Sequence, residues 1–172
     1  ISDHALGYRC INADPDGRYT ITKDIISDPH LACLLQRTRL EGDDPVFLSG
    51  LKIFALCAPH LEIGGAGNNG YIAVANGQRI LMAQKDRQWM AIGGTVPFTH
   101  LSCGYVGTSD GWTDLHDNLK MDWEVDCARD GNIALTGELD LSKTRGFSPG
   151  VAFGNTAPRA VATLLQTLET PF

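Results

Sequence analysis

The sequence predicts a mostly β fold, a sandwich of antiparallel sheets followed by one C-terminal helix, and three observations carry that expectation. About ten strand-like runs are separated by turn signals. A single apolar stripe with helical spacing stands at the end of the chain. The chain has 172 residues, 43% of them hydrophobic and only 20% charged, which suffices for one well-buried core and is short for two. Residues 1–172 are therefore expected to form a single domain.

Taken in order, Tyr8 to Asn12 and Arg18 to Ile26 read as a hairpin across Asp14-Pro15-Asp16-Gly17, with Tyr19, Ile21 and Ile25 on one face. Past Ser27-Asp28-Pro29-His30, Leu31 to Leu40 forms the next strand. A turn over Glu41 to Pro45 leads to Leu51 to Ala58, which is apolar on both faces and is expected to lie between two layers. Tyr71 to Ala75 and Gln78 to Gln84 flank Asn76-Gly77, the strongest short-range hairpin signal in the chain, because a type I′ turn needs positive φ at both central positions. After the Asp130-Gly131 turn, Ile133, Leu135, Leu139 and Leu141 alternate with Thr136, Glu138 and Asp140, the pattern of a half-solvated strand. Ala157, Ala160, Val161, Leu164, Leu165 and Leu168 then fall on one helical stripe, with Thr156 as N-cap. Two non-periodic stretches, His60 to Gly70 and Gly107 to Lys120, exceed minimal turns, and loops of that length tend to be functional or interfacial.

The net charge of −6 is spread along the chain and no Lys/Arg run could track phosphates, which argues against nucleic acid and anionic membranes. No stretch approaches the ~18 apolar residues of a membrane span. Ile1-Ser2-Asp3-His4 has neither a signal peptide's charged region nor its apolar one, and the absence of Met suggests that the natural N-terminus lies upstream. Cys10, Cys33, Cys57, Cys103 and Cys127 are odd in number, widely spaced and without a CxxC pair. Four of them have apolar neighbours, so buried free thiols are expected, with a weak leaning towards a reducing, cytoplasmic compartment.

Several segments imitate chemistry. Gly65-Ala66-Gly67-Asn68-Asn69-Gly70 matches GxGxxG, yet Tyr71 to Gly77 reads as a strand and turn, whereas pyrophosphate binding needs a helix N-terminus there. Asn12 to Gly17 copies the first half of an EF-hand loop, but Lys23 stands where the bidentate carboxylate belongs. His4, His30, His60, His100 and His116 show no metal-ligand spacing. Ser102-Cys103-Gly104 lacks both a nucleophile elbow and a following helix to lower a thiol pKa, which favours a core thiol. No cofactor is expected. The segment from Ser109 to Asp117 gathers Trp112, Asp110, Asp114, Asp117 and His116, a mixture suited to sugars: an aromatic face for the ring and carboxylates for its hydroxyls. The structural alternative has Trp112 anchoring the loop on the core and Asp110 or Asp114 capping the turn.

Read together, Gly7-Tyr8-Arg9, Asp14 to Tyr19 and Lys23 to His30 resemble the N-terminal domain of bacterial-type glycoside hydrolase family 15 glucoamylases and glucodextranases. Ala58-Pro59-His60-Leu61, Gly64 to Asn68, Gly104 to Leu115 and Asn132 to Leu139 continue that pattern in order, over nearly the whole chain. The resemblance implies a β-super-sandwich accessory domain, missing its earliest strands, which packs on an (α/α)6 catalytic domain of the same polypeptide. In such enzymes that domain releases glucose from α-glucans with inversion, using two carboxylates as general acid and base. A chain with one convincing helix cannot build that barrel, so no catalytic residue is carried over. His60, Asn68, Asn69, Asp110, Trp112 and Asp114 are the candidates for the domain interface or the rim of the substrate approach.

Two other readings stand beside this one. An aldose mutarotase-like enzyme would use a histidine and a glutamate as acid and base, drawn from His60, His100, Glu62 and Glu138, though these fall in no recognisable motif of that family. A free-standing carbohydrate-binding module would use Trp89, Trp112 and Trp123 as a stacking platform, but Trp89 and Trp123 lie in strand-like runs that suit the core.

Overall fold

The computed structural model describes residues 7–169, so the expectations about Ile1 to His4 lie outside the described residues. The elements in chain order are β1 (Gly7–Ala13), β2 (Thr20–Ser27), β3 (Cys33–Glu41), α1 (Pro45–Gly50), β4 (Ile53–Cys57), β5 (Asn68–Ala75), β6 (Gln78–Lys85), β7 (Gln88–Gly94), β8 (Phe98–Tyr105), α2 (Gly111–Asn118), β9 (Cys127–Gly131), β10 (Ile133–Leu139), β11 (Gly146–Phe147), β12 (Pro149–Gly154) and α3 (Ala157–Glu169). The strands form two antiparallel sheets. A nine-stranded sheet runs β1-β2-β3-β12-β7-β6-β5-β9 with β11 also on β3, and a three-stranded sheet runs β4-β10-β8.

Local chemistry accounts for the turns that the sequence marked. In the first hairpin the Asp14 carboxylate accepts from Arg18 Nε at 2.7 Å and Nη2 at 3.1 Å, while Gly17 takes φ +72°, so the half EF-hand is a turn held by an ion pair. Asn76 and Gly77 both have positive φ (49° and 75°), as a type I′ hairpin requires, and β5 and β6 pair from Asn69↔Gln84 to Ala75↔Gln78. The GxGxxG segment runs directly into β5, a strand. Thr156 Oγ1 accepts from Arg159 N at 3.3 Å and opens α3 where the stripe predicted it.

The large sheet is covered on both faces, which creates two cores. Leu81, Ala83, Met90 and Ile92 of β6 and β7 pack with Leu101, Cys103, Ile133 and Leu135 beneath the small sheet. Their neighbours Ile80, Met82 and Ala91 point the other way, onto Ala160 and Leu164 of α3. A strand apolar on both faces thus exists, but in β6 and β7 rather than in Leu51 to Ala58. That segment forms β4, an edge strand of the small sheet with Leu56 47% exposed.

Other expectations are also corrected. Ile133 to Leu139 is buried at every position instead of half-solvated, because its polar positions are covered too: Thr136 lies against Gly111 of α2, and Glu138 is held by Lys52 and His100. Two short helices join the C-terminal one. Asp44 caps α1 by accepting from Val46 N and Phe47 N, with Pro45 in the first turn, so the turn expected over Glu41 to Pro45 leads into a helix. Of the cysteines, Cys33 and Cys103 are buried and Cys57 half-buried, whereas Cys10 and Cys127 are exposed. The exposed pair sits on β1 and β9, the two edges of the large sheet, where neighbouring apolar sequence does not guarantee cover. Trp123, expected in the core, is 38% exposed in the loop before β9.

Candidate functional site

Both long non-periodic stretches lie beside the small sheet, and both are fixed by buried polar groups. Gly104 and Gly111 allow the segment between them to press onto β8 and β10: a Cβ on Gly104 would strike the Ser109 carbonyl, and one on Gly111 would strike the Thr136 side chain. Asp110 then caps α2, accepting from Thr113 N at 2.7 Å, from Thr113 Oγ1 at 2.8 Å and from Gly107 N. Burial pushes the Asp110 carboxyl up, but the hydrogen bonds from Gly107 and Thr113 together outweigh it and hold the group below the usual carboxylate range. Asp114, one turn on, is buried and accepts from Asp122 N at 3.0 Å and Trp123 N at 3.1 Å, tying down the chain that returns to β9.

What α2 offers outward is Trp112, 69% exposed, with its ring 6.0 Å from that of His116. Both line a groove of about 500 Å³ between α2, β4 and the β2–β3 face of the large sheet, floored by apolar residues such as Ile53, Leu115 and Phe147.

The His60 to Gly70 stretch is organised around Asn68, which is wholly buried. Its Oδ1 accepts from Leu61 N at 3.1 Å, and its Nδ2 donates to the carbonyls of Gly64 (3.0 Å) and Gly65 (2.6 Å). The loop so pinned carries Glu62, Ile63 and Gly64 in the left-handed region and projects Ile63 fully into solvent, with His60 exposed nearby. A β-branched residue at positive φ is strained, and it persists only where its surroundings hold it. Asn69 fastens the loop's base, donating to Gln84 Oε1 at 3.2 Å and accepting from Asp130 N at 3.1 Å. Asn132 adjoins both stretches: its side chain lies against Gly65 and its carbonyl accepts from Val106 N at 2.9 Å.

Of the six sequence-derived candidates, His60 and Trp112 are therefore exposed, Asn69 and Asp110 are half-buried fasteners, and Asn68 and Asp114 are internal braces. Ile63 was missed, because an isolated isoleucine between a glutamate and two glycines carries no signal of its exposure; the neighbouring Gly64-Gly65 was the only hint of unusual backbone there.

The residues of the competing readings assemble only in part. His100 Nδ1 meets Glu138 Oε2 at 3.1 Å, but Lys52 Nζ holds the other oxygen at 2.8 Å, and His60 and Glu62 lie in the separate loop. Trp89 packs edge-on to Tyr71 in the core beneath α3, on the opposite side of the large sheet from the groove of Trp112, so those two tryptophans share no platform.

The family profile described as "Glucodextranase, domain N" matches residues 1–172. The chain belongs to the glucodextranase domain N family. A glucoamylase of Clostridium sp. (strain G0005) is 34% identical over 168 residues, which is 98% of this chain and 24% of that protein. A solved structure, the crystal structure of a bacterial glucoamylase complexed with acarbose, superposes with a TM-score of 0.90 at 34% identity, covering 99% of this chain and 25% of that one. This domain N therefore spans about a quarter of the length of both relatives. The mostly β antiparallel architecture with its C-terminal helix is that of the glucoamylase's corresponding quarter.

Proposed function

We propose that residues 1–172 form one domain, a partial super-sandwich that serves as the non-catalytic accessory domain of a glucoamylase-like glycoside hydrolase. The observation that carries this reading is the lopsided overlap: 98% of this chain aligns with only 24% of a glucoamylase. Inverting release of glucose from α-glucans then belongs to an (α/α)6 domain elsewhere in the same polypeptide. Domain N packs against it and shapes the approach to its active site. His60, Asn68, Asn69, Asp110, Trp112 and Asp114, with Ile63 added, supply that contact. His60, Ile63 and Trp112 touch the partner, and the other four hold them rigid, which lowers the ordering cost of docking.

The test uses maltotriose and glucose. The 172-residue chain alone releases no glucose, the full-length polypeptide releases it with inverted anomeric configuration, and Trp112→Ala in the full-length polypeptide lowers its hydrolysis rate or its stability. Glucose release by the isolated chain, or an unaffected Trp112→Ala enzyme, contradicts the proposal. Rapid anomer interconversion of glucose by the isolated chain would instead support the mutarotase-like reading through His100 and Glu138.

A further inference from the structure

Trp89 faces two ways. Its ring packs edge-on to Tyr71 in the core beneath α3, yet the residue is only half-buried and lines a cavity of about 370 Å³ at one end of the large sheet. β7 begins at this end and β12 finishes there, with Trp89 paired to Gly154, and Ala32 stands just before β3. The cavity shares no lining residue with the groove of Trp112.

Two kinds of group make its walls. Phe153, 40% exposed, and Trp89 supply aromatic surface, while Arg87, Gln88 and Asn155 supply polar heads, all three exposed. Among the described residues none of these three side chains hydrogen-bonds or ion-pairs, and the Trp89 indole N–H has no acceptor. Every buried polar side-chain atom of the described residues does find a partner, so solvent reaches that indole N–H. The backbone that carries these groups is fastened at three points. Gln84 Nε2 donates to the Asp86 carbonyl at 2.7 Å in the turn before Arg87, Phe153 N donates to the Ala32 carbonyl at 2.8 Å, and Thr156 caps α3 directly after Asn155. Free polar heads and aromatic surface on a fixed frame are what a preformed ligand site presents, because binding then orders little of the backbone.

We propose that this cavity is a sugar-binding site that holds a glucose unit of an α-glucan chain, remote from the bond being cut. A hexose ring has an apolar C–H face, which suits the rings of Trp89 and Phe153. Its hydroxyls both donate and accept, which suits two amides, a guanidinium and an indole N–H. A wholly apolar ligand would strip water from these heads and leave them unpaired. An anion is served less well, since Arg87 is the one charged group lining the cavity and the two ring faces repel negative charge. Trp89 lies on the opposite side of the large sheet from Trp112, so a glucan held here does not compete with the proposed contact to the catalytic domain. A chain long enough to reach both this site and a distant active site gains effective concentration, and a short one gains nothing. The identity of the sugar as an α-glucan rests on the function proposed above, whereas the fit of the cavity to a neutral sugar does not.

The experiment titrates the 172-residue chain with maltoheptaose and with isomaltohexaose, after Trp112→Phe and Trp123→Phe have left Trp89 as its one fluorescent indole. A saturable change in Trp89 fluorescence is expected with at least one of the two sugars. Arg87→Ala and Asn155→Ala, added singly, should each weaken that binding roughly threefold to tenfold, the loss of one or two hydrogen bonds, while the denaturation midpoint stays in place and shows that the fold is kept. In the full-length polypeptide, Arg87→Ala should raise the ratio of KM for a long soluble α-glucan to KM for maltotriose by roughly threefold or more. No saturable response to either sugar overturns the proposal, and so does a response that both substitutions leave untouched. Saturation by inorganic phosphate in place of the sugars overturns it as well, as does an unaltered KM ratio. A full-length polypeptide that releases no glucose from maltotriose contradicts the proposed function instead, and the titration of the 172-residue chain still decides the site.

Discussion

Asn68 shows how one amide can set a loop. It meets one backbone donor and three carbonyls at once, and removing it takes the side-chain partner from the buried Leu61 N and from the part-buried Gly64, Gly65 and Ala66 carbonyls. Asn68→Ala is expected to lower unfolding stability by roughly 1–3 kcal/mol in denaturant titration, the cost of orphaned buried polar groups. Asn68→Asp should not rescue it, since a carboxylate cannot donate to those carbonyls. The cysteines give a second residue-scale prediction. Burial pushes the Cys103 thiol up to about 12, with Cys127 and Asp126 nearby adding to it, and burial raises Cys33 and Cys57 as well. Because the thiolate is the reactive form, a thiol reagent at neutral pH should label Cys10 and Cys127 in the native protein and reach Cys33 and Cys103 only after unfolding. Mass spectrometry of the labelled peptides checks this, and labelling of Cys103 in the folded state would contradict it.

Among the elements, α3 is the one whose sequence and environment agree most fully. Its stripe predicts a buried face, and the large sheet receives that face at Gly93 and Gly150, where a Cβ would come within 3.1 Å of the Leu164 methyls. Glycine there is a matter of room for leucine. Leu164 is fully buried, so Leu164→Ala should cost about 2–5 kcal/mol, measured as a lowered denaturation midpoint with an unchanged slope. β10 is the opposite case. Its alternation reads as one wet face, yet α2 and Lys52 cover that face, and neither is adjacent to it in sequence. α1 escaped notice because six residues are too few to display a helical period; only Asp44-Pro45, a cap followed by a proline, marked its start.

For the molecule as a whole, acid is the predicted weak point. Arg18 beside Asp14, Arg9 beside Asp24, the His30 amide on Asp28 and Ser142 on Asp140 all hold carboxyls below their ordinary value, as the hydrogen bonds of Gly107 and Thr113 do for Asp110. A carboxyl whose pKa is lower folded than unfolded stabilises the fold above the unfolded value of about 4, and that contribution disappears as pH falls through the folded value. The melting temperature should therefore be level with respect to these groups through neutral pH and decline below about pH 4. A decline that begins near pH 6 would assign the sensitivity to histidine instead. Sequence alone determined what is local: the strand-rich class, the Asn76-Gly77 turn, the capped terminal helix and the ordered motifs that the family match supports. Tertiary structure decided what depends on distant neighbours. Asn68 became a brace, Ile63 a projecting residue, Leu51 to Ala58 an edge and Ile133 to Leu139 a core strand, because burial is set by which layer folds over a residue, and periodicity reports only that a face exists.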